Sequence, residues 1–136
     1  MAGQVSADLF SVLRVNALHG RVFTNDEDKP GGTPVVVLSY PVWQRRFGGQ
    51  AGILNQQLTL NNKSYTVIGV MPKDYQYPSR AEIWVPVGQL SGEASWQQRG
   101  NHPGLYGVAR LKPGFSFEQA RAEMDRIAAN LQQQYP

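Results

Sequence analysis

The sequence predicts an α+β fold: a small mixed sheet with a strand–helix–hairpin unit, plus a C-terminal strand–turn–helix element. Three observations predict it. Val35-Val36-Val37-Leu38 is an uninterrupted apolar run between Pro34 and Ser39, the pattern of a strand buried on both faces. Helix start and stop signals follow at once, and then a hairpin signal at Asn61-Asn62. Near the end, a strand-like segment and a Lys112-Pro113-Gly114 turn lead into a run with helical apolar spacing.

Taken in order, Ser6 to Leu13 reads as a short helix. Ser6 is its expected cap, Asp8 suits its positive end, and Leu9, Phe10, Val12 and Leu13 form its apolar side. Val15 to Phe23 reads as irregular. Thr24-Asn25-Asp26-Glu27-Asp28 reads as a capped turn, and 29–34 as an exposed loop. After the Val35–Leu38 strand, Ser39 is the expected N-cap of a helix with Pro41 in its first turn and Gly48-Gly49 as its stop. Gln57–Leu60 and Ser64–Val70 are the hairpin strands. Strict alternation puts Thr66, Ile68 and Val70 on one face and Tyr65, Val67 and Gly69 on the other. Glu82–Val85 is a further strand. Residues 88–103 have no period and read as a mobile loop containing Trp96. Leu105–Leu111 is predicted as a strand. The last helix starts at Ser116, with Gln119 completing a capping box and Phe115 placed to pack on Ala120. Its apolar positions are Phe117, Ala120, Met124, Ile127, Ala128 and Leu131.

This divides the chain into an N-terminal helix and loop (1–34), a small α/β subdomain with the mobile loop (35–103) and part of a second, incomplete subdomain (104–136). The length of 136 residues and a 41% hydrophobic fraction provide for a buried core. A net charge of +3 is spread thinly, with Arg45-Arg46 the one adjacent basic pair, so no nucleic-acid partner is expected. The chain has no cysteine, which excludes disulfides and thiolate metal sites. Met1-Ala2-Gly3-Gln4 has neither the basic nor the apolar region of a signal peptide, and no apolar run approaches the roughly 20 residues that span a bilayer.

Motifs for catalysis are absent from the sequence. His19 and His102 lie far apart, each near a glycine-containing loop, and no Gly-x-Ser-x-Gly elbow accompanies them. Asp26-Glu27-Asp28 lacks the alternating ligands of a calcium loop and reads as a solvated helix start. Gly48-Gly49-Gln50-Ala51-Gly52 follows a helix instead of opening one and lacks a Lys-Ser/Thr pair, so it is a helix stop and linker and not a phosphate cradle. No catalytic, metal or cofactor-binding residue is therefore assigned. Trp43, Tyr65 and Trp84, with Trp96, are the candidate contacts for an apolar ligand or partner. Scattered aromatics at such spacings more often build a core. Of Arg45 and Arg46, one is expected in solvent and one with its stem over the core.

The order of the pieces carries more than any one of them. Val5-Ser6-Ala7-Asp8-Leu9-Phe10 and Leu18-His19-Gly20-Arg21-Val22-Phe23-Thr24 form an opening. Pro34 to Ser39 with Trp43-Gln44-Arg45-Arg46-Phe47-Gly48-Gly49 follow, then Leu58-Thr59-Leu60-Asn61 with Tyr65 to Pro72. Ile83-Trp84-Val85-Pro86 and Val108-Ala109-Arg110-Leu111-Lys112-Pro113-Gly114 close the series. The series resembles the MacB-like periplasmic core domain of ABC-transporter permeases over nearly the whole chain. Arg14 departs from it, standing where the family often has glycine, and is expected to straighten or re-cap the first helix.

The resemblance implies an inner-membrane permease of the macrolide-exporter or lipoprotein-release type, with this segment extracytoplasmic. It implies no cofactor in this chain, since ATP would be used by a separate ATPase domain or subunit. Its partners would be that ATPase, the membrane helices of the parent transporter, extracytoplasmic proteins and a second copy of the chain. In this family the extracytoplasmic region starts earlier, so Leu105–Leu111 and the last helix are expected to lack strand neighbours and to associate between chains. The alternative is a stand-alone periplasmic binding module for a small apolar ligand or peptide. An orphan hydrolase has no nucleophile–base pair to support it.

Overall fold

A computed structural model describes residues 1–78, 80–98, 100–101 and 104–135. The chain forms two compact units, Met1–Tyr106 and Gly107–Pro136. The first is built on a mixed six-stranded sheet. Its strands are β1 (Ala2–Val5), β2 (His19–Gly20), β3 (Val35–Leu38), β4 (Gln57–Leu60), β5 (Lys63–Val70) and β6 (Ile83–Pro86). They lie in the order β1-β6-β3-β5-β2, with β4 folded back on β5. Helices α1 (Asp8–Val12), α2 (Tyr40–Phe47) and α3 (Ala94–Gln97) belong to this unit, and α4 (Phe117–Gln134) to the second.

β3 is the centre of the sheet, parallel to β5 and antiparallel to β6. All four of its residues are buried, as the apolar run predicts. Because successive side chains point to opposite faces, the strand feeds two cores. Val35 and Val37 join Val5, Phe10, Phe23, Met71 and Trp84 on one side. Val36 and Leu38 join Val42, Trp43, Ile53, Val67, Val70 and Val85 on the other.

The predicted helix after β3 forms as α2. Ser39 caps it by accepting a hydrogen bond from the Val42 amide at 3.4 Å, and Gly48 closes it at φ 62°. Arg45 and Arg46 are both exposed, Arg45 pairing with Glu82 and Arg46 lining a cleft with Val42, Phe47, Leu58 and Ile83. The hairpin also forms, with Asn61 and Asn62 at φ 48° and 61°, the left-handed pair that a two-residue turn requires.

Strict alternation fails along β5. Val36 pairs with Val67 and Val37 with Gly69, which leaves Ile68 as an extra residue. This bulge resets the phase, so Val70 shares a core with Val67 and not with Ile68. Gly69 permits it: a Cβ there would overlap the carbonyl oxygen of Arg21, whose backbone lies directly against the strand.

Other differences have local causes. The first helix begins at Asp8 without a side-chain cap from Ser6, whose carbonyl instead accepts from Leu9 at 3.1 Å. Arg14 stops it in the left-handed region at φ 55°, with its amide bonded to Ser11. That is a conformation glycine adopts without a Cβ penalty. β1 went unforeseen because Ala2-Gly3-Gln4 carries no strand chemistry, and β2 because it has only two residues. The expected loop at 88–103 contains a 3₁₀ turn at Gly88–Leu90 and the short α3, both closed by local bonds such as Trp96 N–H to the Glu93 carbonyl at 3.0 Å. Leu105–Leu111 is not a strand: among the described residues no strand pairs with it. Its side chains suit a pleat, but a strand exists only where a neighbouring backbone supplies ladder bonds.

In the second unit α4 starts with the predicted capping box, both Ser116–Gln119 bonds being present. Glu123 and Arg126 pair along the helix at 2.6 Å. Phe117, Met124, Ile127 and Leu131 are exposed.

Two outcomes follow from this packing. Leu38→Ala is expected to cost about 2–5 kcal/mol, by analogy with other fully buried leucines, in urea denaturation. Arg14→Gly is expected to raise stability by about 1 kcal/mol in the same measurement, since glycine has no Cβ penalty in the left-handed region. A loss of stability would show that the Arg14 side chain contributes more than its backbone costs.

Candidate functional site

The densest polar constellation of the first unit is the strap at residues 21–33, where each acid of Asp26-Glu27-Asp28 has its own partner. Asp26 pairs with Lys29 at 2.8 Å in solvent. Glu27 accepts both Arg21 guanidinium nitrogens, at 2.8 and 2.7 Å, and the Thr24 amide at 2.8 Å. The Arg21 guanidinium, and then the Thr24 amide, hold the Glu27 carboxyl below its ordinary range against the opposing effect of burial. Asp28 turns inward. Its two oxygens accept the Ala7 amide at 2.7 Å and the Gly88 amide at 2.6 Å, tying three distant segments together.

Sequence reasoning placed these acids in a solvated helix start. The turn is there, with the Glu27 and Asp28 amides bonded to the Thr24 carbonyl at 3.1 Å, but Asp28 is a tertiary crosslink. A faint sign was available in Ala7 and Gly88, two amides next to element ends, but nothing in a single sequence links them to residue 28. Among the described residues no group of three or more His, Cys, Asp or Glu is placed to hold a metal ion.

The candidate aromatics are not brought together. Trp84 is fully buried in one core and donates its indole N–H to the Tyr77 carbonyl at 2.9 Å. Trp43 is buried in the other core, on the opposite side of β3, and donates to the Gln50 carbonyl at 2.9 Å. Tyr65 packs at the margin of that second core, with the Lys63 ammonium 5.4 Å from its ring centre. A sheet therefore separates Trp84 from Trp43 and Tyr65, and both indoles occupy core positions. Trp96 is half-buried and lines an open cleft of about 470 Å³ with Gly3, Pro78, Val87, Leu105 and Tyr106.

His19 is exposed, with its ring 4.9 Å from Trp43. His102 lies outside the described residues. Glu82 is held at about 2 by the N-terminal ammonium and by Arg45, each 2.8 Å away in solvent. Tyr75, wedged between Phe10 and Trp84, has its hydroxyl pushed up to about 12, first by burial and then by Tyr77. Among the described residues, His19 packs beside Trp43, and Glu82 and Tyr75 lie in separate surroundings.

The comparisons agree with the order of elements. The family described as the MacB-like periplasmic core domain matches residues 1–127. The chain belongs to that family. Among solved structures, this MacB-like domain is similar to the periplasmic region of MacB from Actinobacillus actinomycetemcomitans, with TM-score 0.68 and 15% identity over 96% of this chain and 56% of that one. It is also similar to the extracellular domain of the noncanonical ABC-type transporter YknZ from Gram-positive bacteria, with TM-score 0.53 and 22% identity over 66% of this chain and 44% of that one. At these identities the likeness establishes the fold. The MacB-like domain spans about half the length of the structures it matches. A search of curated proteins returned no match. No helix among its described residues is long and apolar enough to cross a membrane.

The strap makes acid sensitivity testable. A carboxylate held below its unfolded value adds stability above that value, and the contribution is lost as pH falls through the folded one. The melting temperature is therefore expected to fall on acidification below about pH 4.5, the ordinary carboxylate range. Glu27→Gln is expected to melt lower than wild type at pH 7, with the gap narrowing towards pH 3. A gap that does not depend on pH would remove the Arg21–Glu27 charge from the account.

Proposed function

We propose that this chain is the extracytoplasmic domain of an ABC-transporter permease in the inner membrane. In this reading it is a non-catalytic module that couples the transport cycle to substrate or to extracytoplasmic partner proteins. ATP would be hydrolysed by a separate ATPase domain or subunit, and the motion delivered through the parent transporter's membrane helices. The observation that carries the reading is the family match over residues 1–127.

The physical design is consistent with it. A sheet whose central strand is buried on both sides moves as a rigid body, as such coupling requires. The exposed apolar side chains of α4, Phe117, Met124, Ile127 and Leu131, offer contact area to a partner protein or a second copy of the chain. A free-standing binding module using the aromatic residues draws no support from Trp43 and Trp84, which are committed to different cores.

The test uses the complete parent protein in its membrane. Protease added to right-side-out cells is expected to cut this domain, and protease added to inverted vesicles to spare it. Removing residues 1–127 is expected to abolish transport while the ATPase remains able to bind and hydrolyse ATP. Domain cleavage only in inverted vesicles would overturn the extracytoplasmic placement. Robust turnover of nucleotide, ester or glycoside substrates by the purified chain would overturn the non-catalytic role.

A further inference from the structure

The segment that leaves the sheet after β6 is held to the strap almost entirely by polar bonds. The Gly88 amide donates to Asp28 at 2.6 Å. The Gln89 side-chain amide donates to the Glu27 carbonyl at 2.9 Å and to the Thr33 carbonyl at 3.0 Å, and its oxygen accepts from Lys63 at 3.4 Å. The contact is close: a Cβ at Gly88 would overlap the Asp28 carbonyl oxygen, and one at Gly92 would come within 3.1 Å of Pro30. The second oxygen of Asp28 holds the Ala7 amide, at the junction of β1 and α1.

The apolar content changes abruptly at this joint. Trp84 and Val85 are core residues and Pro86 is buried. The 3₁₀ turn Gly88–Leu90 and α3 contain no buried residue. Opening beyond Val87 would expose the half-buried Leu90 and Trp96 but no residue of either core, and the bonds it breaks are those to Asp28 and Gln89. Regions of that kind open in native proteins without the rest unfolding.

We propose that Asp28 and Gln89 form a latch that docks residues 88–98 on the strap, and that this segment opens as a unit while the sheet stays folded. Asp28 is the principal residue because one carboxylate accepts from both the first-helix junction and the exit of β6. Gln89 reinforces it by donating to the Glu27 and Thr33 carbonyls of the strap. The latch is a positioning device and makes no claim on a ligand. Its position gives it a consequence: the path of the chain from the sheet to α3 is set by two side chains outside either core.

Native-state hydrogen exchange of the purified chain at low denaturant tests this. In wild type the amides of Gly88, Leu90 and Ser91 are expected to exchange through an opening that responds weakly to denaturant, and those of β3 and β5 through one that responds steeply. Asp28→Ala is expected to speed exchange at Ala7, Gly88, Leu90 and Ser91 by roughly 10- to 100-fold, the range for losing hydrogen bonds to a charged group, with the weak denaturant response retained. Gln89→Ala, a truncation that leaves both cores untouched, is expected to act in the same direction at Gly88, Leu90 and Ser91. It serves as the test if Asp28→Ala does not fold. Exchange of these amides together with β3 and β5, with one shared steep response, would overturn the latch. So would unchanged exchange at Gly88, Leu90 and Ser91 in both variants.

Discussion

The first unit depends on burying β3 on both of its faces. Four consecutive apolar residues with no outward side are acceptable only where both faces of the sheet are covered, and the rest of the unit provides those covers. On one side stand α1, the Phe23 turn and Trp84; on the other, α2, Ile53 and the β4–β5 hairpin. Neither core is complete without β3. Its backbone is paired on both edges as well, along its whole length to β5 and at Val37 and Leu38 to β6.

Long-range close approaches are the second constraint. Gly69 lies under the backbone of Arg21, and Gly88 under that of Asp28. Both contacts press the 21–33 strap onto the sheet, one at β5 and one beyond β6. The strap is tied to distant segments by Asp28, whose carboxylate accepts the Ala7 and Gly88 amides, while Glu27 binds Arg21 and Thr24 within it. Bonds to a carboxylate are stronger than neutral ones, so they add to the hold that Phe23 gives by packing in the core. The Asp28 bond also holds the start of the 3₁₀ turn that follows β6.

Membership of the MacB-like periplasmic core domain family rests on the succession of elements and not on any cluster of reactive groups. The aromatic residues that stood out in the sequence serve the two cores. Trp43 and Trp84 each fill a core and satisfy the indole N–H with a backbone carbonyl seven residues away, at Gln50 and Tyr77.

What the sequence determined by itself is whatever depends on neighbours along the chain. The β3 run, the Ser39 cap and Gly48 stop of α2, the Asn61-Asn62 turn and the Ser116–Gln119 capping box are all local patterns, and all are present. Only the tertiary structure decided the features that need a partner far away. Ala2–Val5 becomes a strand because β6 lies beside it, whereas Leu105–Leu111, with better strand chemistry, lacks such a neighbour among the described residues. The bulge at Ile68–Gly69 arises where another backbone crosses, and Asp28 is a crosslink because Ala7 and Gly88 are brought to it. The reason is physical: caps and turns close hydrogen bonds within a few residues, while ladders, bulges and carboxylate crosslinks close them between segments that only the folded chain brings together.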